Sequence, residues 1–158
     1  MIFGGHKPDE INSYFLNGGT VSHLYKYDSK QLRTMYHYAL QIMEKGDYRG
    51  ARNIFQLLVV CEHTHPEYQL GLGACHQLTG DHHSAVLFLA QAAQILEVDP
   101  RPHWLLARSA MELKLYDDAI ELLNNAIYLA GNQTKWEQIT CSAVIQINKC
   151  KNLKEKIK

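Results

Sequence analysis

The feature that most constrains this chain is a set of small and apolar residues that recurs every 34 positions. Alanine stands at positions 51, 85 and 119, where a larger side chain would separate two crossing helices. Three further sets of residues keep the same spacing: Tyr48, His82 and Tyr116; Phe55, Leu89 and Leu123; and Leu58, Ala92 and Ala126. Because the same pattern of residues occurs three times at the same spacing, the fold is expected to consist of three repeated units.

A period of 34 residues is typical of tetratricopeptide repeats, in which each repeat is a pair of helices. Such pairs stack into a solenoid with a concave face. The sequence therefore predicts an all-α fold with three repeats, at residues 32–65, 66–99 and 100–133. Residues 1–31 are expected to form an N-terminal helical segment, and residues 134–158 a C-terminal capping helix with a basic tail.

Glycines mark the turns inside two of the three helix pairs. Gly46 and Gly80 follow the first helix of the first and second repeats, because glycine adopts the left-handed conformation that ends a helix without a clash. Lys114 stands at this position in the third repeat, so that turn is expected to be costlier. Ala39, Gly73 and Ala107, also one period apart, are the small partners on the first helices.

The N-terminal segment carries more apolar side chains than it can bury by itself. Pro8 is expected to open a short amphipathic helix, and residues 20–26 a further turn or two. The apolar residues are either a cap on the first repeat or a homodimer contact, and both alternatives stay open. The candidates for a dimer interface are Ile11, Tyr14, Phe15, Val21 and Leu24.

The sequence of the C-terminal segment predicts one amphipathic helix. Thr134 and Glu137 have the spacing of a capping box. The stripe that follows is apolar at steps of three and four residues: Trp136, Ile139, Ala143, Ile147 and Cys150. This helix is expected to cover the open end of the stack. Residues 149–158 carry five lysines against one glutamate. This basic tail is either a solvated chain end or a contact for an anionic partner.

Composition excludes several classes of protein. The formal net charge is +0, so the repeats lack the basic excess of a nucleic-acid-binding protein. No apolar run approaches the roughly 18 residues of a membrane-spanning helix, and residues 1–15 do not have the pattern of a signal peptide. The four cysteines show no CxxC spacing. These features predict a cytosolic chain with reduced cysteines.

Candidates for catalysis and metal binding are weak. Nine histidines are present, but none falls in an HExxH motif or in a His/Cys zinc spacing. Gly71 and Gly73 lie inside a helix and do not make a phosphate-binding loop. A metal enzyme is therefore the least favoured hypothesis, and we expect no catalytic residues, no metal and no cofactor.

The first helix of each pair is expected to line the concave groove. Its exposed positions are apolar and aromatic, as suits an extended or helical peptide with apolar anchors: Tyr36, Leu40 and Met43; Leu70, Ala74 and Gln77; and Trp104, Arg108 and Met111. The carboxylate clamp of heat-shock-binding repeats is not present, because only Arg101 has a suitable side chain at the corresponding positions.

Four stretches carry a resemblance to a known family. They are GGTVSHLY at 18–25, GDYRGARNIFQLL at 46–58, GLGACHQLTGD at 71–81 and DPRP at 99–102. In their order and spacing the chain resembles the class II chaperones of bacterial type III secretion, the translocator chaperones of the LcrH/SycD/IpgC type. The resemblance covers about residues 18–130.

The resemblance implies a cytosolic chaperone that holds hydrophobic translocator subunits before export, binds an extended segment of them in its groove, and forms homodimers through N-terminal helices. By position, the groove aromatics of the family fall on Tyr36 and Tyr48, with Leu40 and Met43 beside them. The resemblance also assigns Leu89 to the groove, where tyrosine is common in the family, so one pocket is expected to be shallower. Arg108 stands where glutamate is common, which reverses a charge near the groove. The alternative is a generic repeat scaffold or regulatory adaptor, bound through its convex face or its basic tail.

Overall fold

A computed structural model describes residues 13–14, 16–24 and 27–156 of the chain. A short helix, α1 (Val21–Leu24), precedes three helix pairs: α2 (Ser29–Glu44) with α3 (Tyr48–Cys61), α4 (Pro66–Leu78) with α5 (His82–Ile95), and α6 (Pro100–Glu112) with α7 (Tyr116–Ala130). A 3-10 turn (Thr134–Trp136) then leads into α8 (Glu137–Glu155). The expected N-terminal helix start at Pro8 lies outside the described residues. Within them no helix has both the length and the apolar character needed to cross a bilayer.

The 34-residue period is confirmed by the packing of the helix pairs. Ala51, Ala85 and Ala119 are fully buried, as expected at the crossing of two helices. Gly73 fills the same role on α4, because a Cβ there would lie 2.6 Å from Cγ of Leu89. The first helices also contact one another, α2 with α4 and α4 with α6. This arrangement is the tetratricopeptide stack that the sequence predicts.

Several of the helices begin after an aspartate that caps their N-terminus or with a proline in their first turn. Asp47 and Asp81 accept hydrogen bonds from the backbone N–H of Gly50 (2.9 Å) and Ser84 (3.1 Å). Asp99 accepts one from Arg101 (2.8 Å), and Pro100 occupies the first turn of α6. Side-chain caps of this kind satisfy backbone donors that have no partner inside the helix.

α8 closes the C-terminal end of the stack. Its residues Ala143, Ile147 and Cys150 are buried against α6 and α7, as the apolar stripe predicts. The expected capping box is wrong: Thr134 lies inside the 3-10 turn, and α8 begins at Glu137 without a side-chain cap. The turn uses a backbone hydrogen bond, from Trp136 N–H to the carbonyl of Gln133 (2.9 Å), in place of the threonine side chain.

The third repeat has a strained turn. Gly46 and Gly80 have φ values of +87° and +83°, and Lys114 adopts the same left-handed region with a φ of +61°. A side chain in this region costs about 1 kcal/mol more than glycine. Leu115 stands where the other two repeats have Asp47 and Asp81, so this turn lacks a side-chain cap as well.

Lys114→Gly is expected to raise the free energy of unfolding by about 1 kcal/mol, because it removes the Cβ from a left-handed residue. Lys45→Gly is the matched control, since Lys45 is also exposed and next to a turn but has a φ of −79°. That control should lower stability by roughly 0.5–1 kcal/mol. Urea unfolding followed by circular dichroism measures both changes, and a destabilising Lys114→Gly would contradict the left-handed assignment.

Candidate peptide-binding groove

The groove is the face formed by α2, α4 and α6. Because these helices contact one another while α3, α5 and α7 pack behind them, they lie on the inside of the curve. Tyr36, Leu40 and Met43 are half-buried on α2 and pack on the first core cluster. Ala74 on α4 and Met111 on α6 are also half-buried. These positions keep part of their surface open to solvent.

Tyr36 is held at the N-terminal end of the groove by aromatic neighbours. Its ring centroid lies 6.0 Å from that of Phe55, edge-on, and 5.6 Å from that of Tyr68. Its hydroxyl donates to Oε2 of Glu67 at 3.4 Å. Burial, and then the nearby Glu67 carboxylate, raise the pKa of Tyr36, so the phenol stays protonated.

A pocket of about 450 Å³ opens beside Tyr36. Its lining includes residues that the sequence argument did not single out, among them Arg33, Glu62, His65 and Tyr68. His65 stacks on Tyr68 with ring centroids 3.8 Å apart. The repeat period offered a signal for this region, because Arg33, Glu67 and Arg101 are each 34 residues apart.

An ion-pair chain ties the second repeat to the third. Nη2 of Arg101 lies 2.5 Å from Oε1 of Glu67 and 2.7 Å from Oδ2 of Asp99. Hydrogen bonds to Asp99, and then those to Glu67, raise the pKa of Arg101. Its guanidinium is therefore bound by two carboxylates of the chain itself.

The predicted groove residues on the middle helix, α4, are more deeply buried than expected. Leu70 and Gln77 are each 7% exposed, because α4 is the middle helix and is surrounded by α2, α3, α5 and α6. Nε2 of Gln77 donates to the carbonyl of Leu105 and to Oγ of Ser109, both at 2.7 Å. Gln77 thus joins α4 to α6, and neither Leu70 nor Gln77 offers much surface to a ligand.

Two of the predicted groove residues are placed elsewhere. Leu89 is wrong as a groove residue: it is fully buried on α5, where its side chain packs against Gly73. Tyr48 begins α3 and lines a separate pocket with Arg49, Leu78 and residues of the adjoining turns, and this pocket does not include Tyr36. Both residues belong to second helices, which form the outer layer of the stack.

Cys75 shows how closely α2 and α4 approach beneath the groove. Its Sγ donates to Sδ of Met43 at 3.7 Å, and its side chain is fully buried. Burial raises the pKa of the Cys75 thiol to about 11, so this cysteine stays protonated at neutral pH. Cys61, Cys75, Cys141 and Cys150 are free thiols.

At the C-terminal end of the groove, α8 contacts α6. Nε1 of Trp104 donates to Oγ of Ser142 at 3.3 Å, and the guanidinium carbon of Arg108 lies 5.0 Å from the Trp104 ring centroid. α8 is further joined to α7 by an ion pair between Lys154 and Asp117. The predicted groove residues of the third repeat therefore face a helix that has no counterpart within the repeats.

The N-terminal segment packs on the first repeat. α1 contacts α3, and Oγ of Ser22 donates to Oε1 of Glu62 at 3.1 Å. The hydroxyl of Tyr14 exchanges hydrogen bonds with the backbone of Thr20, and Val21 is half-buried. Ile11, Phe15 and the side chain of Leu24 lie outside the described residues.

Two of the histidines, His76 and His103, are partly buried. His76 lies 3.1 Å from Asp81 and stacks on Phe88, and burial lowers the pKa of His103. Within residues 13–14, 16–24 and 27–156, no three His, Cys, Asp or Glu side chains are grouped as a metal site.

Residues 44–126, more than half of the chain, match the family model for anaphase-promoting complex, cyclosome, subunit 3. Low calcium response locus protein H of Yersinia pestis is 26% identical over 145 residues, which cover 92% of this chain and 86% of that protein.

Solved structures show the same fold. A chain in a T3SS complex from Aeromonas hydrophila superposes with a TM-score of 0.87 and 25% identity, covering 93% of this chain and 98% of that one. The type III secretion chaperone SycD of Yersinia enterocolitica, in complex with a peptide of the translocator YopD, superposes with a TM-score of 0.76 and 25% identity over 80% of this chain and 97% of SycD. SycD has also been solved as an alternative dimer.

The helical repeats, the groove on their first helices and these similarities agree. The chain belongs to the family described as anaphase-promoting complex, cyclosome, subunit 3, and it is homologous to low calcium response locus protein H (LcrH/SycD).

Proposed function

We propose that this chain is a chaperone of the bacterial cytoplasm that binds translocator subunits of a type III secretion system. An extended segment of the client occupies the groove on α2, α4 and α6. The observation that carries the proposal is the half-buried apolar row formed by Tyr36, Leu40 and Met43, on a fold shared with a chaperone that was solved with a translocator peptide. An exposed apolar groove of this kind marks a binding site.

Binding alone accounts for the activity. A translocator carries membrane-seeking segments that aggregate when they are free in water. A ligand that binds one state stabilises that state by RT ln(1 + [L]/Kd), so a chaperone in excess keeps the client in the soluble complex. The described residues supply apolar contacts for this task, and we infer a non-enzymatic role that needs no cofactor.

The repeats at 32–65, 66–99 and 100–133 are proposed as the client-binding unit, with residues 1–31 as the contact between two copies of the chain. The alternative dimer of SycD supports self-association. Tyr14 and Val21 are the described residues proposed for this contact, together with Ile11, Phe15 and Leu24. Sedimentation of the chain and of a Val21→Glu variant tests the assignment, because a charge in an apolar dimer contact favours the monomer.

A scaffold role is the second candidate, favoured by apolar side chains on the outer helices. Leu57 and Val60 on α3 are 50% and 55% exposed, and Tyr128 on α7 is 85% exposed. Contact through the basic tail would weaken sharply with added salt, whereas contact through an apolar groove would not. Binding measured at low and high salt therefore separates a contact through the basic tail from a contact through the groove.

Co-expression with translocator subunits tests the proposal. The chain should yield a soluble stoichiometric complex with a subunit that is insoluble when expressed alone. Tyr36→Ala should weaken that complex by about 1–3 kcal/mol, as expected for a buried aromatic anchor.

Leu57→Ala is the matched control, since it also removes an apolar side chain but from the outer face, and it should leave the affinity unchanged. A Tyr36→Ala variant that binds as tightly as the parent chain would show that the client lies elsewhere.

A further inference from the structure

A small pocket lies where the concave face of α6 meets α8. It has a volume of about 160 Å³ and is lined by Arg108, Met111, Glu112, Gln146 and Lys149. The pocket combines an apolar wall with two cationic side chains and one anionic side chain. It is far smaller than the pocket beside Tyr36, so it fits a single side chain.

Arg108 is positioned by a short series of contacts. Oγ of Ser142 accepts from Nε1 of Trp104 at 3.3 Å, which fixes the indole plane. The Arg108 guanidinium carbon lies 5.0 Å from the centroid of that indole. Stacking on an aromatic face leaves the in-plane N–H donors of a guanidinium free for a second partner. α8 thus orders a cation at the edge of the groove.

The two arginines on this face of α6 differ in their partners. Arg101 is bound by both Glu67 and Asp99. Arg108, among the residues that the structure describes, has neither a hydrogen bond nor an ion pair, although it is half-buried. A partly desolvated guanidinium without an anion is stabilised by any carboxylate that reaches it.

Lys149 strengthens the positive potential of the pocket. It projects from α8 and is exposed, and Glu112 is the single acidic side chain in the lining. With two cations against one anion, the pocket favours an acidic ligand. Met111 contributes an apolar surface for the methylene groups of such a side chain.

We propose that this pocket binds an aspartate or glutamate side chain of the client segment that lies in the groove, with Arg108 and Lys149 as its partners. The inference rests on the proposed function and adds a rule for client choice. Apolar anchors fill the groove near Tyr36, and one acidic residue near the other end sets the register of the bound segment.

Capped synthetic peptides test the inference. The probe is a library of 12-residue peptides, acetylated and amidated, on a background of Leu, Val, Pro and Ala, each with a single Glu, Gln or Lys. Because both ends are blocked, a substituted Glu or Lys is the only charged group of its peptide, and the Gln peptides are neutral. Isothermal titration calorimetry should show that Glu is preferred over Gln by about tenfold at one position, as for a partly exposed charged hydrogen bond.

Arg108→Glu should abolish that preference and favour Lys at the same position, and Lys149→Glu should reduce it. Lys151→Glu is the matched control, since it makes the same charge change on α8 about 200° around the helix from Lys149. That control should keep the preference for Glu. Circular dichroism melting checks that each variant is folded. If Arg108→Glu does not fold, the effect of Lys149→Glu on the preference for Glu decides the result.

Three results would overturn the inference. Peptides that bind with no charge preference at any position would contradict it, and the groove proposal would stand. A preference for Glu that Arg108→Glu and Lys149→Glu both leave intact would place the anion site elsewhere. If neither the chain nor its variants bind any peptide of the library, the groove proposal fails and the acidic anchor fails with it.

Discussion

Phe55→Ala is expected to lower the free energy of unfolding by about 3–5 kcal/mol, the usual cost of deleting a buried aromatic ring. Phe55 is fully buried, its ring meets Tyr36 edge-on, and it lies against the backbone of Gly71 on the next repeat. The variant leaves a cavity between the first and second helix pairs, which the rigid helices cannot fill. Urea unfolding followed at 222 nm measures the loss.

Leu57→Ala is the control for this experiment. Leu57 lies two residues further along α3 and is 50% exposed. Surface substitutions usually change stability by less than about 0.5 kcal/mol. If the two variants lost similar amounts of stability, the packing of α3 against α4 would be contradicted.

A double-mutant cycle between Gly73 and Leu89 is expected to show strong coupling. Leu89→Ala alone should cost about 2–5 kcal/mol, because the side chain is fully buried. Gly73→Ala alone should be destabilising as well, since its Cβ would lie 2.6 Å from Cγ of Leu89. In the double variant the new methyl group occupies space that Leu89 has vacated.

The coupling energy should be about 0.5–3 kcal/mol, as found for residues in contact. Thermal and urea unfolding of the four proteins give this energy. Leu87→Ala, at a site 66% exposed on the same helix, should be additive with Gly73→Ala. Additive losses for Gly73 and Leu89 would mean that Leu89 does not pack on α4.

The 34-residue period predicted most of the fold, because residues one period apart make equivalent contacts in each helix pair. Ala51, Ala85 and Ala119 are buried for the same reason in each repeat, and the strained Lys114 was visible as a break in the glycine series. The capping role of α8 followed from its apolar stripe. These features depend on spacing alone, so one sequence suffices to find them.

The groove was predicted less completely. Helical spacing predicts on which face of a helix a residue lies, but it does not predict how deeply that residue is buried. Leu70 and Gln77 lie on the expected side of α4 and are still covered, since the middle helix is flanked by α2 and α6 as well as packed on α3 and α5. Leu89 shares its period with Phe55 and Leu123, which are core residues, so its own repeat position argued against the groove.

The pocket at Arg108 could not be predicted from the repeats. It forms between α6 and α8, and α8 lies outside the 34-residue pattern, so no period relates Gln146 or Lys149 to Arg108. The unusual arginine was visible in the sequence as a departure from the family. Its lack of an anionic partner required the three-dimensional structure.

Site-specific photo-crosslinking to a client tests the central claim most directly. A photoreactive phenylalanine analogue is placed at Ala74, half-buried on the groove face of α4, or at Tyr128, exposed on α7. The chain with each probe is co-purified with a translocator subunit and irradiated. We expect a covalent adduct from position 74 and none from position 128. An adduct from position 128 alone would contradict binding in the groove and would favour a scaffold that uses its outer face.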